Sequence, residues 1–99
     1  MKTIKINGNE YNIKYSIRAM FIFEQIKGEP FGLYTTLDNF IFFYSMIMAA
    51  NKNCTLKWDD FIDAIDNDDS IVKQLQEVLT NNNDAIFNKE EDKGDEKKS

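Results

Sequence analysis

The chain has 99 residues, enough for one domain and too few for two separate cores. Hydrophobic residues make up 42% and aromatic residues 13%, which favours a folded core over a disordered chain. The 17 acidic and 12 basic side chains leave a net charge of −5, so we do not expect nucleic acid as a partner. Histidine, the commonest general base and metal ligand, is absent. We therefore expect neither an enzyme nor a metal or cofactor site.

The chain shows no sign of membrane insertion or secretion. Its longest apolar stretch, residues 40–50, has 11 residues, well below the ~20 that a membrane-spanning helix requires. The N-terminal segment carries lysines but no long apolar run, unlike a signal peptide. Cys54 is the single cysteine, so no disulfide can form within the chain. These features predict a soluble, intracellular protein that does not bind membranes.

The first 15 residues predict a β-hairpin. Asn7-Gly8 is the dipeptide most favoured in a two-residue type I′ turn, because both turn positions need a positive φ. A turn at this place makes one face of the ribbon largely apolar and the other polar. The resulting register pairs Lys2 with Ile13, Thr3 with Asn12, Ile4 with Tyr11, Lys5 with Glu10, and Ile6 with Asn9.

Four helices are predicted after the hairpin, over about residues 17–27, 36–51, 57–66 and 68 or 69–82. Ser16 is a favourable N-cap for the first helix and Gly28 a favourable residue just after its end. Its apolar residues, Ile17 and Phe21 among them, extend around most of the helix and are expected to leave only a narrow polar face exposed to solvent. The expected fold class is α+β, mainly helical, with a two-stranded hairpin on a bundle of three to four helices. Residues 1–82 form the domain, and residues 83–99, with ten charges, form a disordered tail.

The second helix is apolar nearly all the way round. Phe40, Ile41 and Tyr44 are interpreted as core. Phe42, Phe43 and Met46 have two readings, as further core or as a groove for a partner, because so small a body rarely encloses a helix completely. We include these three residues in the candidate partner-binding set.

Six aspartates between residues 59 and 69 have no lysine or arginine among them. They are either a solvated helix face or a docking patch for a basic partner. The candidate partner-binding set therefore also contains Trp58, Asp59, Asp60 and Asp63.

A calcium loop is an alternative use of the same segment. Oxygen ligands stand at EF-hand positions 1, 3, 5 and 12, but Ile71 occupies position 6, which requires glycine. We prefer Asp68 or Asp69 as the cap of the fourth helix.

Three segments carry a family resemblance: MKTIKINGNEYNIKYSIRAMFIFEQIKGEPF, LDNFIFFYSMIMAANK and WDDFIDAID. Together they resemble the small tail assembly chaperones of long-tailed bacteriophages and prophages, over about residues 1–80. The family pattern has a threonine cap just before the tryptophan, where this chain has Lys57. None of the matching motifs is catalytic.

The resemblance implies a chaperone for virion assembly, active in the cytoplasm of the bacterial host and absent from the mature viral tail. Such a protein binds the tape measure protein and keeps it soluble until tube subunits polymerise around it. A frameshifted longer form, where one exists, recruits the tail tube protein. Self-association is left open. The alternative from another class is an acidic phage-encoded regulator or inhibitor that binds a host protein.

Overall fold

A computed structural model describes residues 2–83 of the chain. The hairpin strands β1 (Lys2–Ile6) and β2 (Asn9–Ile13) are followed by four helices: α1 (Ile17–Lys27), α2 (Thr36–Ala50), α3 (Trp58–Asn67) and α4 (Ser70–Asn83). The fold is α+β and mainly helical, as predicted. Helix α4 ends one residue beyond the predicted domain boundary, and the rest of the predicted tail lies outside the described residues. None of the helices within residues 2–83 combines the length and apolarity needed to cross a bilayer.

The hairpin has the predicted turn and register. Asn7 and Gly8 both have positive φ, 54° and 82°, as a type I′ turn requires. All five predicted cross-strand pairs are present. The apolar face of the ribbon is buried through Ile4, Ile6 and Ile13, which supplies the support that an isolated hairpin lacks.

Asn51, at the end of α2, joins the hairpin to the helices. Its side-chain oxygen accepts a 3.0 Å hydrogen bond from the Asn12 backbone N–H. Its side-chain nitrogen donates to the backbone oxygens of Asn12 at 2.8 Å and Ile47 at 2.7 Å. One amide therefore satisfies both backbone groups of a β2 residue and also a carbonyl of the last helical turn.

The helix ends follow the local sequence. Ser16 accepts a 3.1 Å hydrogen bond from the Ala19 N–H and caps α1, and Gly28 ends it at φ 75°. Thr35 caps α2. Helix α3 begins after Lys57, whose side chain makes no capping hydrogen bond. The family-like threonine cap is thus missing, but the helix still starts at the tryptophan.

The segment weighed as a calcium loop is helical. Asp68 accepts hydrogen bonds from the N–H and the hydroxyl of Ser70, at 3.0 and 2.6 Å, and these lower the pKa of its carboxyl group. Ile71, at the position that would need glycine, is buried in the core. Because α4 starts at Ser70, positions 5 to 12 of the supposed loop form a helix, which cannot wrap a cation as an EF-hand loop does.

Candidate protein-binding surface

Phe42, Phe43 and Met46 belong to the core. Their exposed fractions are 0%, 2% and 0%. The Phe42 ring lies 5.4 Å from that of Tyr15 and 4.8 Å from that of Phe31, centroid to centroid. Of the two readings left open for these residues, core or partner groove, their burial supports the core, and their place in the candidate partner-binding set is corrected. The physical reason is that the hairpin, α1 and the other helices together surround α2 more completely than the small size of the chain suggested.

The predicted residues of α3 lie nearer the surface. Trp58 is half-buried, and its ring packs 5.4 Å from Tyr44 and 5.8 Å from Phe61. Asp59, Asp60 and Asp63 are exposed. The structure therefore brings Trp58 and the aspartates together on one helix, and separates them from the three enclosed residues of α2.

The exposed apolar side chains are elsewhere, on α1 and around the start of α2. The exposed fractions are 50% for Ile17, 60% for Phe21, 49% for Ile26, 88% for Tyr34 and 56% for Leu37. The expectation that α1 exposes only a narrow polar face to solvent is therefore wrong. Helix α1 buries the side that carries Ala19, Met20 and Phe23 against α2 and leaves much of its other apolar surface open.

A surface pocket of about 480 Å³ lies between the first half of α1 and the end of α2. Its lining includes Arg18, Ile22, Met48 and Ala49. Ile26 lies one turn beyond Ile22 on the same side of α1. We call this surface, together with the start of α2, the α1–α2 groove.

An ion pair with a buried carboxylate and a half-buried lysine lies at the opposite end of the two helices from this pocket. Lys27, the last residue of α1, donates to the Asp38 carboxylate in the first turn of α2. This contact holds the end of α1 beside the start of α2, so Ile26 and Leu37 lie at the same end of the molecule. The α1–α2 groove thus has Met48 near one end and Leu37 near the other.

The Asp38 carboxylate accepts most of the hydrogen bonds at this contact. It is 1% exposed and also accepts hydrogen bonds from the backbone N–H groups of Tyr34 and Thr35, at 3.0 and 3.1 Å. Thr35 in return accepts a 3.0 Å bond from the Asp38 N–H, which completes a capping box. The hydrogen bond from Lys27, with help from the two backbone donors, lowers the pKa of Asp38 to about 2. The same contact raises the pKa of Lys27.

Neither the exposed face of α1 nor the ion pair was predicted from the sequence. Lys27 lies on the same side of α1 as the buried Ala19 and Phe23, at a spacing of four residues. A cation on that side, with an acidic residue opposite in the next helix, is the signal that could have identified the buried face.

The described residues 2–83 contain no group of three or more acidic or cysteine side chains placed to hold a metal ion. The surface offers a partner apolar contact area bordered by charged side chains. No protein-family model, curated protein or solved structure matches the chain.

Proposed function

We propose that this protein is a non-catalytic tail assembly chaperone that binds the tape measure protein of its phage and keeps it soluble during tail assembly. Two independent features support the proposal. One is the sequence resemblance over about residues 1–80, and the other is the apolar surface left open on α1 and α2. The binding surface we propose is the α1–α2 groove, in place of Phe42, Phe43 and Met46.

The observation that carries the proposal is the exposure of Ile26 and Leu37, each about half open to solvent. Both are large aliphatic side chains at the same end of one groove, and Met48 lies near its other end. Apolar grooves of this kind bind an amphipathic helix through side chains spaced three and four residues apart. A long helical client exposes repeated stripes of this type, which would otherwise associate with one another.

Helix α3 supplies negative charge beside α2. Tyr44, on α2, contacts Trp58 at the start of α3. The exposed aspartates of α3 follow directly after Trp58. An acidic helix packed beside α2 favours encounter with clients that carry lysine or arginine beside their apolar stripe.

Co-expression with the tape measure protein tests the proposal. The wild-type chain is expected to keep the client soluble and to co-purify with it. The double variant Ile26→Ser, Leu37→Ser is expected to recover at least about tenfold less client, since a few apolar anchors usually dominate such interfaces. Thr36→Ser, an exposed change next to Leu37, is the matched control.

Two results would refute the proposal. The first is failure of the wild-type chain to bind or solubilise the tape measure protein. The second is equal recovery of client with the wild type and the double variant, which would reject the groove. Circular dichroism of each variant ensures that loss of binding is not loss of folding.

The rival function, an acidic regulator of a host protein, has one observation in its favour. Asp59, Asp60, Asp63 and Asp66 are all exposed on α3, without a cation among them. Mimicry of nucleic acid needs carboxylates over a whole face, whereas here they occupy a single short helix. Competition with DNA for a host enzyme would favour the rival, and tape measure binding without such competition would favour the chaperone.

A further inference from the structure

A second apolar groove, distinct from the α1–α2 groove, lies between α2 and α4. It has a volume of about 440 Å³. Phe40 and Leu79, both half-buried, line it from the two helices, and the buried Phe43 completes its apolar lining. We call this surface the α2–α4 groove. Packing among residues 2–83 leaves it open.

The border of the α2–α4 groove is polar but uncharged. Thr36, Gln76 and Thr80 are exposed there, and none of the lining residues, all from the described part of the chain, carries a charge. A charged partner would therefore not be steered to this groove by electrostatic attraction. The occupant that fits is a short, uncharged, apolar segment.

The chain contains such a segment directly after α4. Helix α4 ends at Asn83, and within residues 84–99 the large apolar residues are Ile86 and Phe87. Residues 85–88, Ala-Ile-Phe-Asn, carry no charge, whereas residues 89–99 carry five carboxylates and four lysines. Burial of an unpaired charge is costly. Within residues 84–99, the stretch 85–88 is therefore the one suited to the groove.

The segment also has the reach that this contact requires. Leu79 lies four residues before Asn83, about 6 Å along the axis of α4. Phe87 is four residues beyond Asn83, and an extended chain of that length spans about 13–14 Å. Phe87 can therefore fold back as far as Leu79 and Phe40. Met48, in the pocket beside α1, lies about 12 Å further along α2 than Phe40, so the segment meets the α2–α4 groove first.

We propose that residues 85–88 fold back after α4 and bind in the α2–α4 groove of their own chain, with the Phe87 ring against Phe40 and Leu79. The contact covers apolar surface that the helices leave open, and it holds the last turn of α4 against α2. A groove filled from within the chain is closed to other apolar segments. The α1–α2 groove stays free, so this contact does not depend on tape measure binding.

Methyl NMR of the full-length chain provides the first test, since the chain has five leucines and their signals can be assigned individually. Nuclear Overhauser effects are expected between the Phe87 ring and the Leu79 methyl groups. The double variant Ile86→Ser, Phe87→Ser is expected to shift the Leu79 methyl signals by more than their linewidth. Lys97→Ser, Lys98→Ser, which also places two serines after α4 but removes no apolar side chain, is the matched control and should leave them in place.

Amide hydrogen exchange provides the second test. Helix ends open locally at little cost in free energy. Loss of the contact in Ile86→Ser, Phe87→Ser is therefore expected to speed exchange of the Thr80 amide by about threefold or more. The lysine-to-serine control should exchange at the wild-type rate. Circular dichroism checks that both variants keep the helical content of the wild type.

Four outcomes would overturn the proposal. The first is an absence of Overhauser effects, with Leu79 signals that are equal in the wild type and Ile86→Ser, Phe87→Ser. The second is a shift at Leu37 in place of Leu79, which would put the segment in the α1–α2 groove. The third is an effect that disappears on dilution, because the segment would then bind another copy. The fourth is equal exchange of the Thr80 amide in the wild type and both variants.

Discussion

Alanine substitutions at Phe42 and Phe21 separate the core from the open surface. The Phe42 ring is fully buried and lies 5.4, 6.3 and 4.8 Å from the rings of Tyr15, Phe23 and Phe31. Removing such a ring costs about 3–5 kcal/mol, a large part of the roughly 4–12 kcal/mol expected for a domain of this size. The Phe21 ring is 60% exposed, so Phe21→Ala is expected to change stability by no more than about 0.5 kcal/mol.

Urea denaturation followed by circular dichroism measures both effects. With an m-value of about 1–1.5 kcal/mol/M, Phe42→Ala lowers the midpoint by about 2–5 M, while Phe21→Ala leaves it almost unchanged. If Phe42→Ala does not fold, Phe42→Leu retains most of the volume and should cost about 1–2 kcal/mol. Similar costs for the two alanine variants would refute the assignment of Phe42 to the core and Phe21 to the surface.

Three further predictions concern the connections between elements. Gly28→Ala is expected to lower stability by about 1–2 kcal/mol through the left-handed backbone conformation alone, because nothing lies within 4 Å of an added Cβ. Thermal melting measures this loss. Gly28→Asn should cost less, since asparagine adopts the left-handed conformation more readily than alanine. Asn51→Asp replaces a donor to two carbonyl oxygens by an acceptor and should lower the free energy of unfolding, measured in urea, by about 1–3 kcal/mol. Asn51→Ala should cost less, because it does not place a carboxylate against those two oxygens. For Asp38, the pKa of about 2 in the folded chain lies below the ordinary value of 3.8, so its contribution to stability is complete above about pH 4 and is lost as the pH falls toward 2. Acid titration should show this loss in the wild type, and a much flatter profile between pH 4 and 2 in Asp38→Asn.

Local signals predicted the hairpin and the helix ends. The Asn7-Gly8 turn determines the register, because a shift by one residue would expose the apolar face of the ribbon. Ser16, Gly28 and Thr35 act as caps through hydrogen bonds within a few residues of themselves. Such features depend on neighbours in sequence, so they can be predicted from the sequence alone.

The candidate surface depends on packing between distant elements and was predicted only in part. Helices α1 and α2 both have more apolar residues than one face can hold, and periodicity does not show which of them occupies the centre. In the structure α2 occupies the centre, with Phe42 and Met46 enclosed, and α1 lies outside with Phe21 exposed. The acidic residues of α3 were predicted as exposed because aspartate is rarely buried without a partner. Asp38 is buried because Lys27 and two backbone groups compensate its charge.

The position of α2 has a consequence for function. If partners bound through Phe42, Phe43 and Met46, every substitution that removed binding would also disrupt the core. Exposed residues such as Ile26 and Leu37 contribute less to folding, since only about half of their area is withdrawn from water. Binding and stability are then carried by different residues of the same two helices. Variants of the α1–α2 groove should therefore lose the client while keeping the melting temperature of the wild type, a separation that a partner site within the core could not produce.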